Sequence, residues 1–281
     1  MKQSHKARFF GVSLLAVAVL AVVVALLVSS DDPRHPGGLL VTPSTRQTAA
    51  GGQGPAVVYV SDDLYPATLE LVARFLEDNP RSKIELHQAP GLGALADVQK
   101  DKKATLFIDD QKVIAQMAHK PPRSFPFGND LLLIVAAKGN PKGIDSLLTF
   151  ADQANRTGMC APEIRCGADA RNLLAAHSVT AVPDVVSPDP KALVDDVFAG
   201  RLDAALVYRS QARTKFLRVS GLPAAAPDDP NSTVDYEMAV LTPNTTTAQF
   251  VQFVRNSPDA TRILQRRGFK GLVRAPAESG Q

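Results

Sequence analysis

The chain has 281 residues, 45% of them hydrophobic, enough to bury one large core or two modest ones. Its 31 basic and 28 acidic side chains leave a net charge of +3, with no basic stripe interleaved with aromatics, which argues against a nucleic-acid partner. The 21 prolines and 18 glycines are spread along the chain as loop punctuation, as in a globular protein with many connections.

Lys2, Lys6 and Arg8 precede an uncharged apolar run over residues 9–28. A run of about 20 residues is long enough to cross a ~30 Å hydrocarbon core as a helix, and the preceding positive charges place residues 1–8 in the cytoplasm and everything after the run outside. The alternative is a cleaved signal peptide, for which Val28, Ser29 and Ser30 would offer a weak cleavage site. Length favours a single-pass anchor in the cell membrane, and cleavage would instead give a secreted protein. No cysteine follows the run to accept a lipid. Residues 29–55 are rich in Pro, Gly, Ser, Thr and Gln without apolar periodicity, and read as a flexible linker.

The folded part begins with a strand over 57–60, and Pro66 to Glu77 follows as an amphipathic helix with Leu69, Val72, Ala73 and Leu76 on one face. A second strand spans 83–87. Gly91, Leu92 and Gly93 turn the chain into a helix from Ala94, and a third strand over 105–108 precedes a helix opened by Asp110. Alternation of strand and helix implies a parallel sheet with right-handed crossovers. Pro121, Pro122 and Pro126 interrupt the alternation, and a second series starts with a strand over 131–137. In that series Val194, Val197 and Phe198 share a helix face, and Gly200 ends the helix. The apolar run Ala204 to Val207 then reads as a buried strand that delivers Tyr208 to its carboxyl end, where ligands of such sheets are met. After a second proline-rich break over 223–230, the pattern gives a strand over 236–241 and a helix over 247–256. Ser257 caps a last helix that has Pro258 at its first position and ends at Gly268.

Two alternating units, with a final strand and helices left over, predict an α/β protein of two lobes around a cleft. Residues 56–127 and 235–275 would form lobe I and residues 128–234 lobe II. Each lobe would be a mostly parallel sheet flanked by helices, following the amino-terminal membrane segment.

Several segments carry a family resemblance over residues 57–269. They are Gly93 to Ala96, Leu106 to Lys112, Lys138 to Pro141, Ala199 to Tyr208, and Ser257 to Asp259 with Arg267 to Phe269. In order and spacing they resemble the molybdate-binding receptors of bacterial ABC importers, which are two-lobed periplasmic binding proteins. The resemblance implies a monomeric receptor, not an enzyme, that needs no cofactor. It would take an oxyanion such as molybdate or tungstate and engage ABC permease subunits. Family members hold the anion on loops at strand ends through backbone amides, two serine hydroxyls and a tyrosine, using the positive end of helix dipoles.

Carried over residue by residue, the resemblance assigns ligand contacts to Ser61, Asp62 and Asp63 in the first loop, to Gly91, Leu92 and Gly93 in the second, to Cys166 and Gly167 before the third helix, and to Tyr208. Of these, only Tyr208 matches the family cleanly. Asp63 and Leu92 stand where the family has hydroxyl donors. An ionised aspartate about 5 Å from a dianion would repel it by roughly 6 kcal/mol at an effective dielectric of 20. The bland alternative is that Asp63 caps the first helix through the amide of Tyr65 and faces away from the cleft.

Cys160 and Cys166 suit a disulfide in an extracytoplasmic chain, without Cys-x-x-Cys spacing. His87, His119 and His177 show no metal-ligand spacing, while Asp62, Asp63, Asp109 and Asp110 would offer a metal-binding cation site if both their loops faced the cleft. Three readings therefore stand: an oxyanion receptor, a receptor or sensor of the same fold retuned to a cation or another small ligand, and a thiol oxidoreductase resting on the two cysteines alone.

Overall fold

The computed structural model describes residues 39–41, 54–89, 93–213, 219–226 and 228–270. The expected membrane segment over 9–28 and the loop residues Gly91 and Leu92 lie outside the described residues.

The strands are β1 (Leu39–Val41), β2 (Ala56–Ser61), β3 (Ile84–Ala89), β4 (Leu106–Asp110), β5 (Arg123–Ala137), β6 (Thr157–Cys160), β7 (Val185–Ser187), β8 (Ala204–Tyr208), β9 (Val219–Pro223) and β10 (Thr233–Val240). The helices are α1 (Tyr65–Asp78), α2 (Ala94–Lys100), α3 (Gln111–Ile114), α4 (Arg165–Ala176), α5 (Pro190–Phe198), α6 (Arg209–Ala212), α7 (Thr245–Asn256) and α8 (Pro258–Arg266). In the sheet the strands lie in the order β1-β3-β2-β4-β10-β5-β8-β6-β7, with β9 also paired to β5.

The sheet is mixed, which corrects the expectation of mostly parallel lobes. Strands β2 and β3, β2 and β4, β6 and β7, and β6 and β8 pair in parallel, whereas β10 pairs antiparallel with both β4 and β5, and β5 pairs antiparallel with β8 and β9. The physical reason lies in β10, which enters late in the chain between β4 and β5 and runs opposite to both, so those two strands point the same way without pairing with each other.

The strand expected at residue 131 begins eight residues earlier, because β5 runs unbroken from Arg123 to Ala137 through Pro126. Pro126 is accommodated where the pairing with β10 shifts between Tyr236 and Glu237, a bulge that leaves Phe127 as the extra residue. The two ends of β5 serve different halves of the sheet. Residues 123–131 pair with β10, and residues 132–137 pair with β8 and β9. The expected linker also carries an element, since Leu39–Val41 adds an antiparallel edge strand to β3.

Helices form where the pattern placed them. In α1, Pro66 occupies the first turn, and Thr68, Leu71, Val72, Phe75 and Leu76 are buried along one face, so of the expected face Val72 and Leu76 hold, Leu69 is half-buried and Ala73 is exposed. Asn244 and Ser257 cap α7 and α8 through the amides of Thr247 and Asp259. Gly200 and Gly268 leave their helices with φ of 72° and 96°, a backbone that favours glycine. Helix α8 is tied back to α1 by Arg74 with Asp259 at 2.7 Å and by Arg267 with Glu70 at 2.8 Å, so the last helix of the fold packs on the first. One buried apolar cluster runs from Val58 and Leu71 through Ile134 and Leu206 to Leu173, and so continues across β5.

Cys160 and Cys166 form a disulfide between the end of β6 and the first turn of α4, with their Cα atoms 5.7 Å apart. Both residues are buried. In the chain-entropy model a loop this short contributes about 2–3 kcal/mol. The double substitution Cys160→Ser, Cys166→Ser should lower the unfolding free energy by about that amount, read as a fall in the denaturant midpoint. Thiol titration of the unreduced wild type should find no reactive thiol under denaturing conditions.

Candidate functional site

The carboxyl ends of β2 and β4 lie side by side, because Val60 is in parallel register with Ile108. Their next residues, Ser61 and Asp109, therefore stand about one strand spacing apart, ~5 Å. Asp110 ends β4, and its Oδ1 accepts the amide of Lys112 at 2.8 Å to cap α3. Asp63 lies in the turn between β2 and α1. It is not the cap of α1, whose N-cap is Leu64 without a side-chain bond. The amide of Tyr65 instead reaches the Asp62 carbonyl at 3.4 Å, and Asp63 turns inward. The outward-facing alternative for Asp63 is thereby overturned.

From the other half of the sheet comes α4, which packs on β6 and β8. Its first residue, Arg165, has only 7% of its surface exposed and reaches three carboxylates at once. Nη2 donates to Asp109 Oδ1, Nη1 donates to Asp110 Oδ2 at 3.2 Å, and Nε stands 3.6 Å from Asp63 Oδ2. Asp63 Oδ2 also accepts the hydroxyl of Tyr236 from β10. One turn along α4, Asp169 accepts the hydroxyl of Tyr208. Asp62 Oδ1 accepts Gln88 Nε2 at 2.7 Å.

The electrostatics follow from burial and crowding. Burial pushes the Asp109 carboxyl up to about 7, with Arg165 lowering it and Asp63 and Asp110 adding repulsion. Burial opposes the charge on Arg165, and the carboxylates of Asp63 and Asp109 outweigh that, so its pKa is raised. Burial also raises Asp169, against the pull of the Tyr208 hydroxyl and Arg165. Tyr208 and Tyr236 stay neutral, held well above the usual phenol range by burial and by neighbouring carboxylates. Three buried polar atoms here lack a hydrogen-bond partner: Ser61 Oγ, Asp109 Oδ2 and Arg165 Nε.

Of the residues expected at the site, Ser61, Asp63, Cys166 and Tyr208 stand at or beside this network, while Gly93 is exposed at the start of α2. Cys166 and Gly167 are not in a loop before α4 but inside its first turn. The Gly167 amide is engaged by the Ile164 carbonyl at 3.0 Å. Gly167 is required for another reason, since a Cβ there would collide with the Ala161 and Cys160 carbonyls of the β6 end. Tyr208 is at the end of β8 as expected, but buried rather than open. Arg165, Asp169 and Tyr236 were missed. A signal for Arg165 existed in the sequence, because an arginine in the first turn of a helix opposes the helix dipole and needs a local reason. Among the described residues, no group of three or more His, Cys, Asp or Glu is arranged to hold a metal ion.

Residues 56–270 match the family model of the bacterial extracellular solute-binding proteins. The chain belongs to that family. It is 26% identical over 272 residues to the molybdate-binding protein ModA of Mycobacterium tuberculosis and of Mycobacterium bovis, covering 93% of this chain and 98% of each relative. The fold is shared with the periplasmic molybdate-binding protein of Azotobacter vinelandii, at a TM-score of 0.54 and 14% identity over 76% of this chain and 98% of that one. It is also shared with Peb3 of Campylobacter jejuni, at a TM-score of 0.54 and 11% identity over 76% and 99%. The architecture is accordingly the α/β periplasmic-binding-protein fold.

Removing the central cation should be costly. Arg165→Gln leaves Asp63, Asp109 and Asp110 without their shared partner, a loss of about 3–5 kcal/mol for a broken buried pair. A carboxyl whose folded pKa is raised contributes stability at acid pH that is lost as pH climbs through the folded value, here between about 4 and about 7 for Asp109. Without Arg165 that loss deepens. Melting temperatures should therefore separate wild type from Arg165→Gln more at about pH 8 than at about pH 5.

Proposed function

We propose that this chain is the extracytoplasmic receptor of an ABC importer, and that its ligand is an oxyanion of the molybdate and tungstate type. The observation that carries the reading is the convergence of strand ends from both halves of the sheet on one buried polar network. It lies where an open α/β sheet presents ligands and where residues assigned from the family resemblance also fall. Identity to ModA proteins along nearly the whole chain supports the ligand class. In this reading residues 56–127 with 235–275 and residues 128–234 are two lobes, Ser61, Asp63, Cys166, Gly167 and Tyr208 border the ligand, and residues 9–28 anchor the receptor facing an ABC permease. Closure on the anion then brings Arg165 to bear on its charge, which offsets the carboxylates that replace hydroxyl donors. The buried disulfide is structural in this reading, since attack on a disulfide needs an accessible sulfur. A binding protein rather than an enzyme is the consistent description.

A second reading has one specific observation in its favour. Three carboxylates surround a single guanidinium, so the site holds more negative than positive groups, and a small cation or amine would balance it better than an anion.

Thermal unfolding distinguishes the two. Ligand at 100 times its dissociation constant stabilises the folded state by about 2.7 kcal/mol, a rise of about 5–10 °C for a domain of this size. Molybdate or tungstate should give this rise saturably, and sulfate a smaller one. A rise with ammonium or guanidinium ions and none with any oxyanion would replace the first reading by the second.

A further inference from the structure

The three buried atoms of the network that make no hydrogen bond differ in what they offer a ligand. Ser61 Oγ and Arg165 Nε are donors, and an anion satisfies both. Asp109 Oδ2 is different. Its sister atom Oδ1 is already engaged by Arg165 Nη2 and by the amide of Asp110 at 2.7 Å, so Oδ2 alone is free, and Asp109 has no exposed surface from which water could satisfy it. As an ionised acceptor it repels any tetrahedral anion that meets the two donors. With a hydrogen on Oδ2, or on the facing oxygen of the anion, the same contact becomes a hydrogen bond.

Resting on the oxyanion reading, we propose that the site takes a tetrahedral oxyanion together with one proton. The proton lies between Asp109 Oδ2 and an anion oxygen, while Ser61 Oγ and Arg165 Nε donate to the other oxygens. The proton comes from solvent when the anion is fully ionised and arrives on the ligand when the anion is a hydrogen oxyanion, and it leaves with the anion on release. No covalent bond forms or breaks other than the one to this hydrogen.

The charged groups facing Asp109 agree with this. Arg165 of α4 favours its ionisation, whereas Asp63 after β2 and Asp110 on β4 oppose it. On β10, Glu237 stands directly across from Asp109 in the antiparallel register and adds another carboxyl. Burial already raises the carboxyl to about 7, so an incoming anion meets a group that is half protonated near neutrality and pushes it further toward the protonated form. A site of this kind tells anions apart by their protons: molybdate and sulfate must recruit one from water, while hydrogen phosphate or hydrogen arsenate brings its own.

The test is titration calorimetry of the full chain with sodium molybdate at several pH values, in two buffers of different ionisation enthalpy. The wild type should take up about half a proton per molybdate near pH 7 and close to one by about pH 9, and affinity should fall about tenfold per pH unit well above pH 7. Asp109→Asn keeps the shape and offers an amide hydrogen in place of the acid hydrogen. It should bind molybdate with affinity independent of pH over the same range and without proton uptake. Relative to molybdate, inorganic phosphate should gain on the wild type as pH rises. Molybdate binding by wild type with no proton uptake at about pH 9, or by Asp109→Asn with the wild-type slope, overturns the proposal and leaves the oxyanion receptor standing. Absence of binding by molybdate, tungstate, sulfate and phosphate at every pH overturns both.

Discussion

The buried guanidinium of Arg165 is the constraint on which the centre of this molecule depends. Taking a charge out of water costs several kcal/mol even after relaxation, and at the first turn of a helix the dipole adds to the cost for a cation. The structure answers with carboxylates from two strand ends, Asp63 after β2 and Asp109 and Asp110 on β4, all from the opposite half of the sheet. The pairing is therefore also a mechanical link. It holds the start of α4 against the ends of β2 and β4, with β5 as the continuous strand beneath.

Nothing about this geometry is left to the side chain alone. The Cys160–Cys166 bridge fastens the first turn of α4 to the end of β6, and Gly167 allows the helix to approach the β6 carbonyls more closely than any other residue would. Arg171, a turn and a half further on, donates to the Cys160 carbonyl at 3.0 Å and the Gly167 carbonyl at 2.9 Å, closing the same corner from the other side. Asp169 then meets Tyr208 at the end of β8. A covalent tie, a close backbone contact and two hydrogen-bonded groups thus fix where Arg165 points. That rigidity offsets the entropy a long side chain would otherwise lose on being ordered.

What could be read from residues alone follows from the range of the forces involved. Helix starts and stops, such as Ser257 with Pro258 and the left-handed glycines 200 and 268, depend on neighbours in sequence and were legible to within a residue or two. Strand direction was not. Whether the sheet is parallel or mixed around β5 depends on a strand, β10, that arrives about a hundred residues later and runs opposite to both β4 and β5, and Pro126 is tolerated inside β5 because β5 bulges there against β10. The site divided in the same way. Tyr208 and the aspartates could be placed at strand ends from the alternating pattern, but which aspartates face inward was decided by Arg165. Its partners lie 55, 56 and 102 positions away in the chain, beyond the reach of any local pattern.

Ion pairs already made within the network set the terms for anything that enters it. The carboxylates and Arg165 belong to opposite halves of the sheet, so a ligand reaching the centre exchanges existing ion pairs for its own contacts, and the observed affinity is a difference between the two sets. Neutral donors at strand ends would lose only hydration on binding an anion. Here an anion, as proposed, would have to draw Arg165 from three partners while standing near those same carboxylates, and the two effects oppose binding together. Only a change in the charge of the carboxylates relieves both at once, by weakening their hold on Arg165 and their repulsion of the anion. Asp109, fully buried and with its carboxyl near neutrality in its titration, is the member of the network placed to make that change.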